Sequence, residues 1–376
     1  MQKPFREHHA LAIFSSYEKQ TGPLDLFLKN YFLCHKAIGA KDRKSIAESV
    51  YGIMRWRGLL DHKAKDSPSW ETRYHLFQQF SPLTYLKDTQ IPLHVRLSFP
   101  KKFFSLLVNS LGEEKAMDFC LVSNAPAPTT IRVNTLKISR EALLERWKDS
   151  FAATPCTTSS TGITFLKKVN FFALPEFKSG FFEVQDEASQ LIAQLVAARP
   201  GQQILDFCSG SGGKALAIAP RLEEKGQLYL HDIRRFSLME AKKRLKRAGI
   251  QNAQLLFHDA EHKKRLKKTM DWVLVDVPCT GSGTLRRNPD MKWKFQEEDL
   301  EELIIKQRAI FHEALDFVKP RGHIVYSTCS ILSRENQEQA DFFTTHYPLE
   351  RIDNFSSFPQ AGGMDGFFGT TFQLKE

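Results

Sequence analysis

The chain has 376 residues, 42% of them hydrophobic and 26% charged, proportions that call for a folded globular protein of two or three domains and exclude a low-complexity or disordered one. Its formal charge is +10 and its pI about 9.2, which favours an acidic polymer as partner without identifying it. The six cysteines, Cys34, Cys120, Cys156, Cys208, Cys279 and Cys329, are scattered and form no C-x-x-C pair, so no metal, no redox dithiol and no disulfide framework are expected, and a reducing cytoplasm is the natural location. The opening MQKPFREHHALAIF lacks the apolar run of a signal peptide, and nothing approaches the roughly 18 apolar residues of a membrane span. A monomer with no membrane partner is expected.

In chain order, the first hundred residues are predicted helical. Leu24, Leu28, Tyr31 and Phe32 share one helical face, and Ile46, Val50, Ile53 and Met54 repeat the spacing. Gly22-Pro23 and Gly39 punctuate these segments. From Asp61 to Pro100 the pattern weakens and places no element. A helix ending near Val122, a proline-broken NAPAPTT, a β-like IRVNTL and a TTSST loop follow. After about Gln185 an α/β rhythm sets in: ASQLIAQLVAA as a helix, QQILDF as a strand, ALAIAPRL as a helix, QLYLHD as a strand, and SLMEAKKRLKRAG as a basic helix. AQLLFHD, DWVLVDV and GHIVYST are three more strands. Strands alternating with helices predict a parallel sheet covered on both faces.

The run CSGSGGK between a strand and a helix is a ligand-binding turn by its mechanics. Gly210, Gly212 and Gly213 let the backbone turn sharply and approach a ligand closely. Asp232, Asp259 and Asp276 end the next strands, at the carboxyl edge where α/β sheets bind ligands. Gly210 to Ala215 also fits the loose dinucleotide fingerprint, so a nicotinamide dehydrogenase competes. Three carboxylates suit S-adenosylmethionine, rich in hydrogen-bond donors, better than a pyrophosphate. Such aspartates can also be plain helix caps.

Two cysteines stand at neighbouring strand ends. DVPCTGSGTLRRNPDMKW places Cys279 after one strand, and GHIVYSTCSILSRENQE places Cys329 after the next. A lone cysteine on a strand is usually an inert core residue; two in polar turns beside a ligand-binding edge can flank one substrate.

VQDEASQ from Val184, LDFCSGSGGK, DVPCTGSGTLRRNPD, YSTCSILSRENQ and the closing MDGFF from Met364 together resemble the Sun or RsmB-type family of RNA cytosine-5 methyltransferases. IRVNTLKISREALL is similar to the domain that precedes the catalytic one, and GAKDRKSIAESVYGIMRWRGLLD resembles the NusB-like helical domain of the bacterial ribosomal members. The resemblance implies a helical NusB-like RNA-binding domain over 1–96, a small α+β domain over 97–182, and a Rossmann-like α/β methyltransferase domain over 183–376. It implies that Cys329 attacks the base and Cys279 assists product release. It further implies that S-adenosylmethionine is held by Cys208, Ser209, Gly210, Ser211, Gly212, Gly213 and Lys214 with Asp232, Asp259 and Asp276. The family turn usually reads C-A-A-P-G-G-K-T; here Ser211 stands at the proline, which leaves the loop more backbone freedom to lose.

The chemistry accounts for such a pair. Carbon 5 of cytosine is too weak a nucleophile to take a methyl group from a sulfonium until a thiolate adds at carbon 6 and makes an enamine. Asp276 is placed to assist at ring N3, and a second group must help remove the carbon 5 proton. DNA cytosine-5 methyltransferases use a P-C cysteine as nucleophile, which would select Cys279, but the T-C-S-I context favours Cys329. The expected partner is RNA, 16S ribosomal RNA first; transfer RNA, or a non-catalytic RNA-binding assembly role on the same fold, are the alternatives. Arg286, Arg287 and Lys292, following Cys279, are the expected phosphate contacts. KKRLKR from Lys242 and KKRLKK from Lys263 are read mainly as solvated helix faces.

Overall fold

A computed structural model describes residues 3–20, 22–65, 68–167, 169–257 and 260–376. Asp259, one of the expected cofactor residues, lies outside the described residues. The chain divides into two compact units, one formed by 1–126 with 284–297 and the other by 127–283 with 298–376.

The first unit is helical. The periodic apolar residues of the sequence lie on helices Leu24–Cys34 and Ala40–Ala64, and Ile46, Val50 and Ile53 meet Ile13 and Phe14 of helix Phe5–Tyr17 in one core. The stretch that carried no readable pattern contains helix Trp70–Gln78, whose start is fixed by Ser69: its hydroxyl accepts from the Thr72 amide at 3.1 Å. Only Arg73 and Tyr74 of this helix are buried, too few for a periodic signal. Helices Lys101–Leu111 and Glu113–Ser123 also pack in this unit. Asn124 donates to the Leu97 carbonyl at 2.7 Å, and Phe103 stacks on Phe295 at 4.3 Å.

The second unit begins with a four-stranded antiparallel sheet of β1 (Thr129–Val133), β2 (Ala153–Pro155), β3 (Gly162–Phe165) and β4 (Phe182–Val184), in the order β2-β3-β1-β4. Helix Arg140–Trp147 joins β1 to β2 and the short Pro175–Lys178 precedes β4. Trp147, Phe165, Phe171 and Phe182 fill its core.

A seven-stranded sheet follows: β5 (Gln203–Asp206), β6 (Gln227–His231), β7 (Ala253–Leu256), β8 (Met270–Asp276), β9 (Val318–Thr328), β10 (Leu349–Ser357) and β11 (Phe367–Leu374). Their order is β10-β11-β9-β8-β5-β6-β7, parallel from β9 through β7, with β11 antiparallel to both of its neighbours. The five strands read from the sequence are the parallel ones. Alternation sorts their residues: Ile204, Leu228, Leu230 and Leu274 face helix Arg235–Ala248, while Leu205, Val273, Val275 and Ile324 face Phe311 and Phe343 from helices Glu297–Leu315 and Gln337–His346. The predicted helix ALAIAPRL is instead α-helical only over Ala215–Ile218 and tightens to a 3₁₀ turn over Ala219–Leu222, because Pro220 has no amide to donate. This is a Rossmann-like α/β sheet, as expected. Among the described residues no helix is long and apolar enough to cross a membrane.

Candidate active site

Strand order puts β5, β8 and β9 side by side with their carboxyl ends together, and the loops leaving those ends build the site. After β5 the chain enters the glycine turn. The Ser209 amide donates to the His231 carbonyl at 2.9 Å, and the Gly212 amide returns to the Ser209 carbonyl at 2.8 Å. Gly210 and Gly212 adopt φ of +52° and +79°, and a Cβ at Gly212 would press within 3.3 Å of Ala241 and Leu230. Glycine there serves both conformation and space.

Asp232, at the end of β6, accepts from the Gly210 amide at 2.9 Å and from the Arg234 amide and guanidinium at 2.8 and 3.1 Å. Burial opposes ionisation of Asp232, but Arg234 and the Gly210 amide outweigh it and hold the carboxyl below its ordinary pKa. Cys208 is partly buried against the core, and burial pushes its thiol far up, so it stays neutral.

At the end of β8, Asp276 accepts from the Lys214 ammonium and, at 2.9 Å, from the Ser327 hydroxyl. Burial works against charge on Lys214, yet the Asp276 carboxylate prevails and raises its pKa, with Cys329 and Asp206 adding to the pull. The two expected cysteines do meet: Cys279 Sγ and Cys329 Sγ lie 3.4 Å apart. Contact with Cys329, then burial and the nearby Glu335, push the Cys279 thiol well above its ordinary range, so Cys279 is held neutral.

Two residues not singled out in the sequence shape this site. Asp206, the last residue of β5, is 1% exposed, and neither carboxylate oxygen accepts a well-formed hydrogen bond. Burial first, and then Asp276, raise its pKa to about 7. Glu335 is fully buried and ties the thiol loops together. It accepts from the Thr280 amide at 2.9 Å, from the Thr280 hydroxyl, and from Gln307 at 3.0 Å, while its own carbonyl takes the Tyr326 hydroxyl at 2.7 Å. Ser282 and Ser330 link the same loops at 2.9 Å. The Gly283 amide donates to the Cys329 carbonyl, also at 2.9 Å, and a Cβ on Gly283 would fall 2.0 Å from the Gly366 carbonyl oxygen. The signal for Asp206 was its place at a strand end before glycines. Glu335 had no local signal beyond following the T-C-S stretch.

The expected phosphate contacts take another place. Thr284–Glu297 folds into the helical unit, where Lys292 is 1% exposed. Its ammonium donates to the Arg55 carbonyl at 2.7 Å and the Asn124 side chain at 2.6 Å and lies over the Phe99 ring. Burial drives its pKa well below the ordinary lysine value. Arg286 is likewise buried, and its carbonyl takes a bond from Arg55 at 3.0 Å. Lys292 is thus an internal tie of the helical unit, because Trp293 and Phe295 draw the segment into that core. Arg287 is half-buried.

S-adenosylmethionine carries a sulfonium, an ammonium, ribose hydroxyls and an adenine amine, all cationic or donating groups. A buried carboxylate at Asp206 with acceptor capacity to spare, a second carboxylate at Asp232 and a glycine cradle between them fit that group.

Comparison with known proteins agrees. Residues 193–373 match the family model for 16S rRNA methyltransferase RsmB/F. Residues 99–171 match the RsmF/B-like ferredoxin-like domain, whose β-α-β-β-α-β order is that of the four-stranded sheet. Ribosomal RNA small subunit methyltransferase B of Proteus mirabilis is 34% identical over 262 residues, 67% of this chain and 60% of that one. The probable counterpart of Synechocystis sp. is 29% identical over 274 residues, 72% of this chain and 61% of that one. The chain therefore spans about three-fifths of the length of these curated relatives. The crystal structure of PH0851 shares the fold, with a TM-score of 0.82 at 22% identity over 100% of both chains. Matches to two adjoining domain models of one family identify the chain as a member of the RsmB/F methyltransferase family.

Proposed function

We propose that the protein methylates carbon 5 of a cytosine in RNA, with 16S ribosomal RNA as the first substrate, through a covalent bond between Cys329 and ring carbon 6. The observation that carries the reading is the pair of thiols 3.4 Å apart beside the Lys214–Asp276 pair. A nicotinamide dehydrogenase would leave that pair without a role.

S-adenosylmethionine, the family's cofactor, supplies an electrophilic methyl group. The chain's own residues do the rest. The Cys329 thiolate adds to carbon 6, and as charge builds on the ring N3 takes a proton that Asp276, braced by Ser327, relays from the Lys214 ammonium beside it and recovers when the product forms. Once carbon 5 is methylated, its proton passes to the Cys279 sulfur, which has yielded its own proton to Cys329, and the electrons of that C–H bond re-form the ring double bond as the Cys329 sulfur leaves. Cys279, neutral and in contact with Cys329, is the group placed to return a proton to the departing sulfur. The raised pKa of Cys279 favours Cys329 over Cys279 as attacking group, since the thiolate is the nucleophile. The target base must be unstacked to reach the thiols. Arg287 is retained as a phosphate contact, and a reducing cytoplasm keeps both thiols reduced.

The test is to mix wild type, Cys279→Ala and Cys329→Ala with unmodified 16S RNA and S-adenosylmethionine and run denaturing protein gels. An RNA-shifted band that persists in Cys279→Ala and is missing from Cys329→Ala supports the reading. The opposite pattern makes Cys279 the nucleophile. If 16S RNA gives no band and transfer RNA does, the substrate assignment moves to transfer RNA.

A further inference from the structure

Ser211 sits at the exposed tip of the glycine turn, between Gly210 and Gly212, both with positive φ. A serine flanked by glycines is the least restrained point of such a loop. Arg244, on helix Arg235–Ala248, reaches it: Nη1 donates to the Ser211 carbonyl at 2.9 Å and lies 2.8 Å from the Ser211 hydroxyl. The other edge of the same guanidinium is fixed by Glu183 of β4, whose Oε2 accepts from Nη2 at 3.0 Å and Nε at 3.2 Å. Glu183 is itself buried and also holds Arg247. The Arg244 side chain is only 21% exposed, so this is an anchored bridge and not a solvated surface pair.

A second tether reaches the same turn from the same small sheet. Arg132 of β1 donates to Gln185 at 2.7 Å, and Gln185 reaches the Gly213 carbonyl at 3.4 Å. Two adjacent strands of the four-stranded sheet therefore grip the turn on either side of Gly212.

We propose that Arg244 is a positioning residue for the cofactor turn, supplying through Ser211 the backbone restraint that a proline at that position would supply by its ring. Fixing the Ser211 carbonyl fixes the Ser211–Gly212 peptide plane, and with it the direction of the amide that closes onto Ser209. A turn held in its binding shape loses less entropy when the cofactor enters. Planarity matters: a guanidinium presents parallel donors to Glu183 and to Ser211 at once, which a lysine ammonium does not. This proposal rests on the S-adenosylmethionine reading of the turn.

The experiment compares wild type, Arg244→Ala, Arg244→Lys and the double variant Arg244→Ala/Ser211→Pro. S-adenosylmethionine affinity is read by isothermal titration, and amide exchange across residues 209–213 is read without cofactor. Arg247 still holds Glu183 in every variant, so folding is retained, as a thermal melt verifies. Arg244→Ala is expected to bind S-adenosylmethionine roughly tenfold more weakly and to exchange faster across the turn. Arg244→Lys should fall close to it, and Ser211→Pro in the Arg244→Ala background should recover most of the affinity and protection. Wild-type affinity and exchange in Arg244→Ala would overturn the proposal, as would a loss that the proline does not recover. If wild type itself does not bind S-adenosylmethionine, the cofactor reading fails, and the exchange comparison alone then decides the role of Arg244.

Discussion

The cofactor turn and the thiol loops lie at neighbouring strand ends of one sheet but are held by opposite means. The turn is clasped from outside, by the mostly exposed Arg234 against Asp232 and by the anchored Arg244 against Glu183. The thiol loops are bound from within by Glu335, Gln307, Thr280, Ser282 and Ser330, all packed between strand ends and helix Glu297–Leu315. The exposed Arg234 clasp is weak and exchanges readily with water, whereas a buried, fully bonded network is costly to disturb. A cofactor must enter and leave at every turnover; a nucleophile must keep its line of attack. The restraint at each place matches the motion the chemistry requires.

Breaking the thiol side gives the largest effects. Cys329→Ala should reduce methylation by roughly 10⁴-fold or more and abolish the RNA adduct, while S-adenosylmethionine titration stays near wild type. Glu335→Ala should cost about 3 kcal/mol in urea unfolding, because it strands the donors of Thr280 and Gln307 inside the protein. Adduct formation by the folded fraction should drop more than cofactor affinity does, and equal losses would erase the distinction between the two regions.

Asp206 belongs to the cofactor side and carries a pH signature. Its carboxyl is raised from 3.8 to about 7, so the stability it allows is fully present below pH 4 and is lost as pH rises through 7. The cost at alkaline pH is on the order of a few kcal/mol. Asp206→Asn should therefore raise the melting temperature at pH 8 relative to wild type, make little difference at pH 4, and weaken S-adenosylmethionine binding. In wild type, binding of that cationic cofactor should tighten between pH 6 and 8 and release a proton, which titration in buffers of different ionisation enthalpy will detect. Last in size, Arg234→Ala should change cofactor affinity by no more than about threefold, since its exposed pairing with Asp232 contributes less than about 1 kcal/mol.

Much of this architecture could be read from residues in sequence. The P-C and T-C-S cysteines and the glycine turn are short strings at strand ends, and five parallel strands announce themselves by unbroken apolar runs. What escaped reading depends on partners distant in the chain. Glu335 acquires its role from Thr280 and Gln307, and Asp206 from being sealed beneath the turn. In the run KKRLKR, Lys242, Lys243 and Lys246 are solvated as expected, but Arg244 and Arg247, three residues apart and so on one helical face, both turn to Glu183. Charge alone could not separate them. Lys292 looked like a phosphate contact because it follows Cys279 in sequence, yet its segment is claimed by the aromatic core of the helical unit. Strands β10 and β11 escaped as well: β10 carries mostly exposed residues after its first, leaving no apolar run to notice.

The interrupted course of the helical unit bears on how the protein is born. Its core is closed by Trp293 against the Met54 carbonyl and by Phe295 on Phe103, residues that leave the ribosome only after most of the second unit has been made. Domains are ordinarily completed from the N-terminus as synthesis proceeds, at about 5–20 residues per second. Here the helices over 1–126 must wait roughly ten to thirty seconds for their last piece, and over that interval the apolar surface that Trp293 and Phe295 later cover stays exposed. Expression of residues 1–126 alone should give a helical but less cooperative domain, which addition of a peptide spanning 284–297 tightens.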